Sequence, residues 1–179
     1  MDTLLGGGDT LTMRAYIGVG SNLGDRLAHC AAAVEALAGL DRTRVVACSP
    51  WYETEPVGGV AQRWFVNGAV EVETALDPRE LLSACLAIER TRGRERRILN
   101  GPRTLDLDLL LYADRIVNEP GLTLPHPRLT QRAFVLVPLA DVAPQVLHPV
   151  AGVTIAALRA TIMSRRLVRP YEPAPLGAN

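Results

Sequence analysis

A chain of 179 residues fits one domain with a sizeable core and is too short for two full-sized ones. Lysine plus arginine and aspartate plus glutamate each number 19, so no overall field favours nucleic acid, an anionic membrane surface or an acidic substrate. No stretch approaches the roughly 18 apolar residues of a membrane span. Cys30, Cys48 and Cys85 are odd in number and widely separated, which points to reduced thiols in a cytoplasmic protein rather than to disulfides or a zinc motif.

Residues 1–12 carry no lysine or arginine and include Gly6, Gly7 and Gly8, so they read as a flexible leader rather than a secretory or transit signal. Residues 14–19 form a short apolar run closed by the turn residues Gly20, Ser21 and Asn22, the pattern of a first strand. Over residues 25–40, Leu27, Cys30, Ala31, Val34, Leu37 and Ala38 recur at helical spacing. Residues 45–52 predict a second strand, and residues 53–63, with Pro56, Gly58 and Gly59, a loop. Residues 64–73 alternate, with Val66, Gly68, Val70 and Val72 on one face and Phe65, Asn67, Ala69 and Glu71 on the other.

Asp77, Pro78 and Glu80 supply an N-cap, a first-turn proline and a capping-box acid for a second helix bearing Leu81, Leu82, Cys85 and Ile88. A fourth strand is predicted over residues 104–111. The order predicts an α+β fold of ferredoxin-like β-α-β-β-α-β plan, an antiparallel sheet with both helices on one face, followed by a C-terminal extension. That extension is expected to hold a proline-containing loop over 118–130 and two shorter helical segments. The domain is expected to span 13–165, with 166–179 a disordered tail.

The chemistry concentrates in Gly101-Pro102-Arg103-Thr104-Leu105-Asp106-Leu107-Asp108-Leu109. Strand alternation sends the leucines to one face and both aspartates to the other. Residues two apart on a strand lie about 6.5 Å apart, so the two carboxylates repel by about 2–3 kcal/mol at an effective dielectric near 20. A bound cation would remove that cost. Magnesium takes an octahedron of oxygens that two carboxylates can begin and substrate phosphates can complete. Just upstream, Arg92, Arg94, Arg96, Arg97 and Arg103 offer guanidinium forks suited to phosphate oxygens.

No phosphate-loop fingerprint is present, so ATP would be held in another way. Two other readings stay open from these features: a ferredoxin-like RNA-binding module, and a metal-binding fold without catalysis. Against the first, aromatic residues make up 4% of the chain, and RNA phosphates would meet the carboxylates of the Leu-Asp-Leu-Asp-Leu strand.

The ordered motifs resemble one family closely. Gly18-Val19-Gly20-Ser21-Asn22-Leu23-Gly24-Asp25, Thr54-Glu55-Pro56-Val57-Gly58, Phe65-Val66-Asn67-Gly68-Ala69-Val70, Gly93-Arg94-Glu95-Arg96, the Gly101 to Asp108 segment, Leu124-Pro125-His126-Pro127 and Arg132-Ala133-Phe134-Val135-Leu136 follow one another between residues 14 and 150. Together they resemble the 6-hydroxymethyl-7,8-dihydropterin pyrophosphokinases of folate biosynthesis. The resemblance implies transfer of pyrophosphate from ATP to the pterin hydroxymethyl group, with release of AMP and with two Mg2+ ions held by Asp106 and Asp108.

It also implies that Phe65 and Phe134 sandwich the pterin, that Asn67 reads its edge, and that the chain near Thr54 and Val57 touches it. ATP contacts would fall on Glu89, Arg94, Arg96, Arg103, His126 and Arg132, and catalysis on Arg94, Arg103, Asp106 and Asp108. The expected partners are these two small molecules, with no nucleic acid or membrane, for a monomer. One departure is that Leu99-Asn100 stand where many relatives carry tryptophan before the Gly-Pro-Arg segment.

Overall fold

The computed structural model describes residues 11–58, 61–93, 101–162 and 167–172. Its elements in chain order begin with β1 (Met13–Ser21), α1 (Arg26–Ala38), β2 (Thr43–Cys48), β3 (Tyr52–Thr54), β4 (Phe65–Thr74) and α2 (Pro78–Thr91). They continue with β5 (Asp106–Tyr112), β6 (Val117–Glu119), β7 (Leu122–Leu124), a 3-10 turn (Leu129–Gln131), α3 (Ala133–Val142), α4 (Ile155–Thr161) and β8 (Val168–Pro170). Among these residues no helix is long and apolar enough to cross a membrane.

The two helices that the sequence predicts start where their caps dictate. The Asp25 side chain accepts from Ala28 N at 3.1 Å, and the helical period places Cys30, Ala33 and Leu37 on the buried stripe of α1. In α2, Asp77 accepts from the backbone of Arg79 and Glu80, while Glu80 accepts from Asp77 N at 2.8 Å. This reciprocal box satisfies donors that a helix start otherwise leaves open, and Leu81, Cys85 and Ile88 then face inward.

The main sheet runs β5-β1-β4-β3-β8, with β2 also on β4, and every pair is antiparallel. The β-α-β-β-α-β order is therefore kept, with one refinement. The single second strand expected over 45–52 is two strands sharing one edge of β4, β2 against its far half and β3 against Phe65, Val66 and Asn67. Pro50 has no N–H to offer a ladder, so the chain breaks there. Ser49 bridges the gap by exchanging hydrogen bonds of 2.9 Å with the backbone of Ala69. Thr54 consequently belongs to a strand, not to the loop expected from residue 53.

Helices cover both faces: α1 and α2 share one, as expected, and the helices of the C-terminal extension cover the other. On the first face Ile17, Val19, Val70, Val72, Leu107 and Leu109 pack with α1 and α2. On the second, Tyr16, Ala69, Leu110 and Leu111 pack with Leu136 and Leu139 of α3 and Ile155 of α4. Helix α3 is apolar on nearly every side, and such a helix is stable only when buried. The sheet face opposite α1 and α2 is what buries it.

A bulge lets β5 serve both layers. Tyr16 pairs with Leu111 and Ile17 with Leu109, leaving Leu110 without a partner on β1. Leu110 and Leu111 therefore both enter the second core, and Tyr112 turns back to the first, where its hydroxyl donates to Leu76 O at 2.7 Å.

Two further segments depart from expectation. The stretch 118–130 is no plain loop: β6 and β7 form a hairpin turned at Gly121, whose φ of 78° suits glycine, and Leu122 and Leu124 are buried. The tail expected from residue 166 is also partly ordered. Val168–Pro170 pair with β3, and Tyr171 N donates to Trp51 O at 2.9 Å, so the fold extends past the expected boundary at 165.

Candidate active site

A cleft opens at one end of the sheet, with Gly18 and Gly20 of β1 as its floor. The register explains why. Gly18 and Gly20 stand opposite Asp108 and Asp106 on β5, and Gly20 stands opposite Asn67 on β4. Two residues without side chains thus separate a wall of acids from a wall carrying an amide and a ring. Phe134 and Arg132, at the start of α3, close the cleft from above the sheet. The space is about 110 Å³, several times the roughly 10–15 Å³ that one water requires.

Asp106 and Asp108 both line the cleft while Leu105, Leu107 and Leu109 face the first core, as the alternation predicts. Burial pushes the Asp108 carboxyl up to about 6. The neighbouring Asp106 adds to the rise, and Arg132 opposes it. Arg103 Nη1 donates to Asp106 Oδ2 at 2.6 Å. The backbone of Arg103 is itself clamped: its N–H donates to Asn22 Oδ1 at 2.8 Å and its carbonyl accepts from Asn22 N at 3.1 Å. The Asn22 amide also donates to Gln62 Oε1 at 2.8 Å and Arg63 O at 3.1 Å, tying three segments together. Asn22, fully buried, was legible in the sequence only as a turn residue.

On the opposite wall, Asn67 Nδ2 donates to Thr54 Oγ1 at 2.5 Å, and both residues are buried. This bond fixes which way the Asn67 amide points. A Cβ on Gly20 would lie 2.5 Å from Asn67 Oδ1, so only glycine leaves that oxygen its place. Phe65 and Phe134 line the cleft, the Arg132 guanidinium lies 5.3 Å from the Phe134 ring centroid, and Val57 sits at the rim. An apolar ring wall with one oriented amide suits a flat heterocycle with donor and acceptor edges.

Two expected ATP contacts do not line the cleft. Glu89 is buried, and its Oε1 accepts from Leu107 N at 2.7 Å, gripping the backbone between the two aspartates. In this structure Glu89 thus holds the acid strand. His126 sits beside the cleft, with its backbone N–H donating to Leu110 O at 2.9 Å and its Nδ1 accepting from Arg128 N at 3.2 Å. Burial, reinforced by Arg132 and Arg128, lowers its pKa to about 4, so the ring is neutral at pH 7. Arg94, Arg96 and Leu99-Asn100 lie outside the described residues.

Arg128 and Glu55 also line the cleft and were not foreseen. The only signal for Arg128 was its place four residues before Arg132. Among the described residues no cluster of three or more histidine, cysteine or acidic side chains could hold a metal. The aspartate pair can supply two carboxylates and leave the other positions of an oxygen octahedron to waters and phosphates.

Comparison with known proteins bears on this geometry. The family profile described as "7,8-dihydro-6-hydroxymethylpterin-pyrophosphokinase (HPPK)" matches residues 16–144. A protein of Methylorubrum extorquens named 2-amino-4-hydroxy-6-hydroxymethyldihydropteridine pyrophosphokinase is 48% identical over 142 residues, 79% of this chain and 89% of that protein. The Folic acid synthesis protein fol1 of Schizosaccharomyces pombe is 43% identical over 135 residues, covering 75% of this chain but only 18% of the longer protein. The fold is similar to that in a crystal structure of wild-type Plasmodium falciparum HPPK-DHPS with pteroate, with a TM-score of 0.65 at 17% identity. That match covers 84% of this chain, which spans under half, 42%, of the larger one.

Proposed function

The chain belongs to the 7,8-dihydro-6-hydroxymethylpterin-pyrophosphokinase family, and from that premise we propose that the cleft described above performs the family's reaction. The enzyme transfers pyrophosphate from ATP to the hydroxymethyl group of 6-hydroxymethyl-7,8-dihydropterin, giving AMP and the pterin diphosphate in folate biosynthesis. One observation carries the assignment of residues: Asp106 and Asp108 face, across the glycine floor, the oriented Asn67 amide and the Phe65 ring. Phosphate chemistry and heterocycle recognition therefore meet in one cleft.

In this assignment the pterin lies between Phe65 and Phe134, with Asn67 and the backbone near Thr54 and Val57 reading its edge. Its hydroxymethyl oxygen then points toward the acids. That oxygen bonds to the β-phosphorus as the bond to the α–β bridging oxygen breaks; AMP leaves, and the hydroxyl proton is lost. Arg103 and Arg132 place positive charge beside the polyphosphate, and preorganised donors of this kind stabilise charge that develops in transfer.

The residues fit magnesium. Both carboxylates line the cleft, and Asp108 carries a burial cost that a cation would offset. Asp106 and Asp108 would hold the two Mg2+ ions, which when bound neutralise phosphate charge. Arg94 and Arg96 complete the proposed ATP contacts. Glu89 and His126 stay among those proposed contacts, and each also holds the backbone of the site. A monomer located in the cytoplasm, needing neither nucleic acid nor membrane, completes the proposal.

The test is to mix the protein with ATP, Mg2+ and the hydroxymethyl dihydropterin and to identify the nucleotide product by chromatography. AMP is expected. ADP would mark an ordinary kinase and overturn the assignment.

A further inference from the structure

Thr54, which orients Asn67, belongs to a strand only three residues long. So short a strand has few ladder bonds of its own and depends on its neighbours. One neighbour is β4. The other is β8, in which Val168 pairs with Thr54 and Arg169 with Glu53, and Leu167 O extends the ladder by accepting from Glu55 N at 3.1 Å. Side chains reinforce this edge on the face away from Thr54. Glu53 accepts from Arg169 at 2.6 and 3.2 Å and from Arg26 of α1 at 2.9 Å.

The same two arginines reach the residue before Phe65. The Arg169 guanidinium lies 4.8 Å from the Trp64 ring centroid, and Arg26 donates to Trp64 O at 2.7 Å. The Arg169 hydrogen bond is also the main cause holding Glu53 below the usual carboxylate range. We propose that the C-terminal strand, through Arg169, is a positioning element of the pterin wall, pinning the strand of Thr54 and the start of Phe65's strand where substrate needs them. Arg169 touches no substrate; it acts through Glu53, Trp64 and the backbone of β3. Its role rests on the pterin assignment made above, and it separates the two substrates, because the acid pair and Arg103 are held by Asn22 and Glu89 instead.

Steady-state kinetics of Arg169→Ala test this directly. The pterin KM is expected to rise about tenfold, the scale of one lost charge-assisted contact, while the ATP KM and kcat stay within about twofold of the parent. Arg169→Lys, which keeps the charge but loses the fork, should fall between them. A chain ended after residue 166 should shift the pterin KM further in the same direction, and if it does not fold, the point variants decide. Equal rises in both KM values, or no rise in either, would overturn the proposal. Amide hydrogen exchange separates this from a failure of the functional assignment. Faster exchange at Thr54 and Asn67 in Arg169→Ala is expected whether or not the parent forms AMP, and unchanged exchange sinks the strap by itself.

Discussion

Asn67 and Thr54 sit on neighbouring strands, β4 and β3, two register positions apart, and share a hydrogen bond of 2.5 Å from the Asn67 amide to the Thr54 hydroxyl. The bond uses one amide donor and leaves the rest of the group turned to the cleft. On the far side of that group, Gly20 is the only residue type that leaves room for Oδ1.

Replacing Gly20 by alanine therefore tests the amide without touching it. The new Cβ would lie 2.5 Å from Oδ1, and the amide cannot swing away without breaking its bond to Thr54. The pterin KM should rise by about tenfold or more, the scale of one lost polar contact. The ATP KM should change little, and circular dichroism should show an intact fold.

Removal of Arg103 should act on turnover. Its guanidinium is preorganised by Asp106 and by the Asn22 clamp on its backbone. Loss of one such donor to a transition state costs about 10²-fold in rate. Arg103→Ala should lower kcat by that order and ATP affinity by less, and Arg94→Ala is expected to behave alike. Parent-like kcat in both variants would remove them from the site.

Asp108 predicts a pH signature in metal-free protein. Its folded pKa, about 6, lies above the ordinary 3.8. The charged form is therefore disfavoured by folding, and the stability this group lends is full below about pH 4 and lost as pH rises through 6. Without divalent cations, Asp108→Asn should melt above the parent at pH 8 by a few degrees. The gap should close as pH falls from 6 to 4. Magnesium with nucleotide should raise the parent's Tm more than the variant's.

Glu89→Ala leaves Leu107 N–H buried without its 2.7 Å acceptor. An unpaired buried donor costs about 1–3 kcal/mol, so the Tm should drop by several degrees in a thermal melt. Because Leu107 lies between the two aspartates, kcat should fall as well, while the pterin affinity holds.

The parts written in local pattern were legible in the sequence. Asp77, Pro78 and Glu80 announced α2, and the Leu-Asp-Leu-Asp-Leu alternation announced which way the acids face, because both depend on residues a few places apart. What escaped depends on partners distant in the chain. Glu89 looks like any acid on a helix until Leu107 is packed over it, and Asn22 looks like a turn residue until Arg103 arrives. The split at Pro50, the hairpin at Gly121 and the pairing of β8 share a cause: strands of three residues carry too little periodicity to be read.

The unpaired Leu110 gives β5 two independent phases. Upstream of it, the alternation is set by chemistry, acids outward and leucines inward. Downstream it is reset, so that Tyr112 can bond Leu76 while two successive leucines receive α3. Deleting that one leucine would force a choice between the carboxylates and the second hydrophobic layer, since a continuous pleat cannot satisfy both.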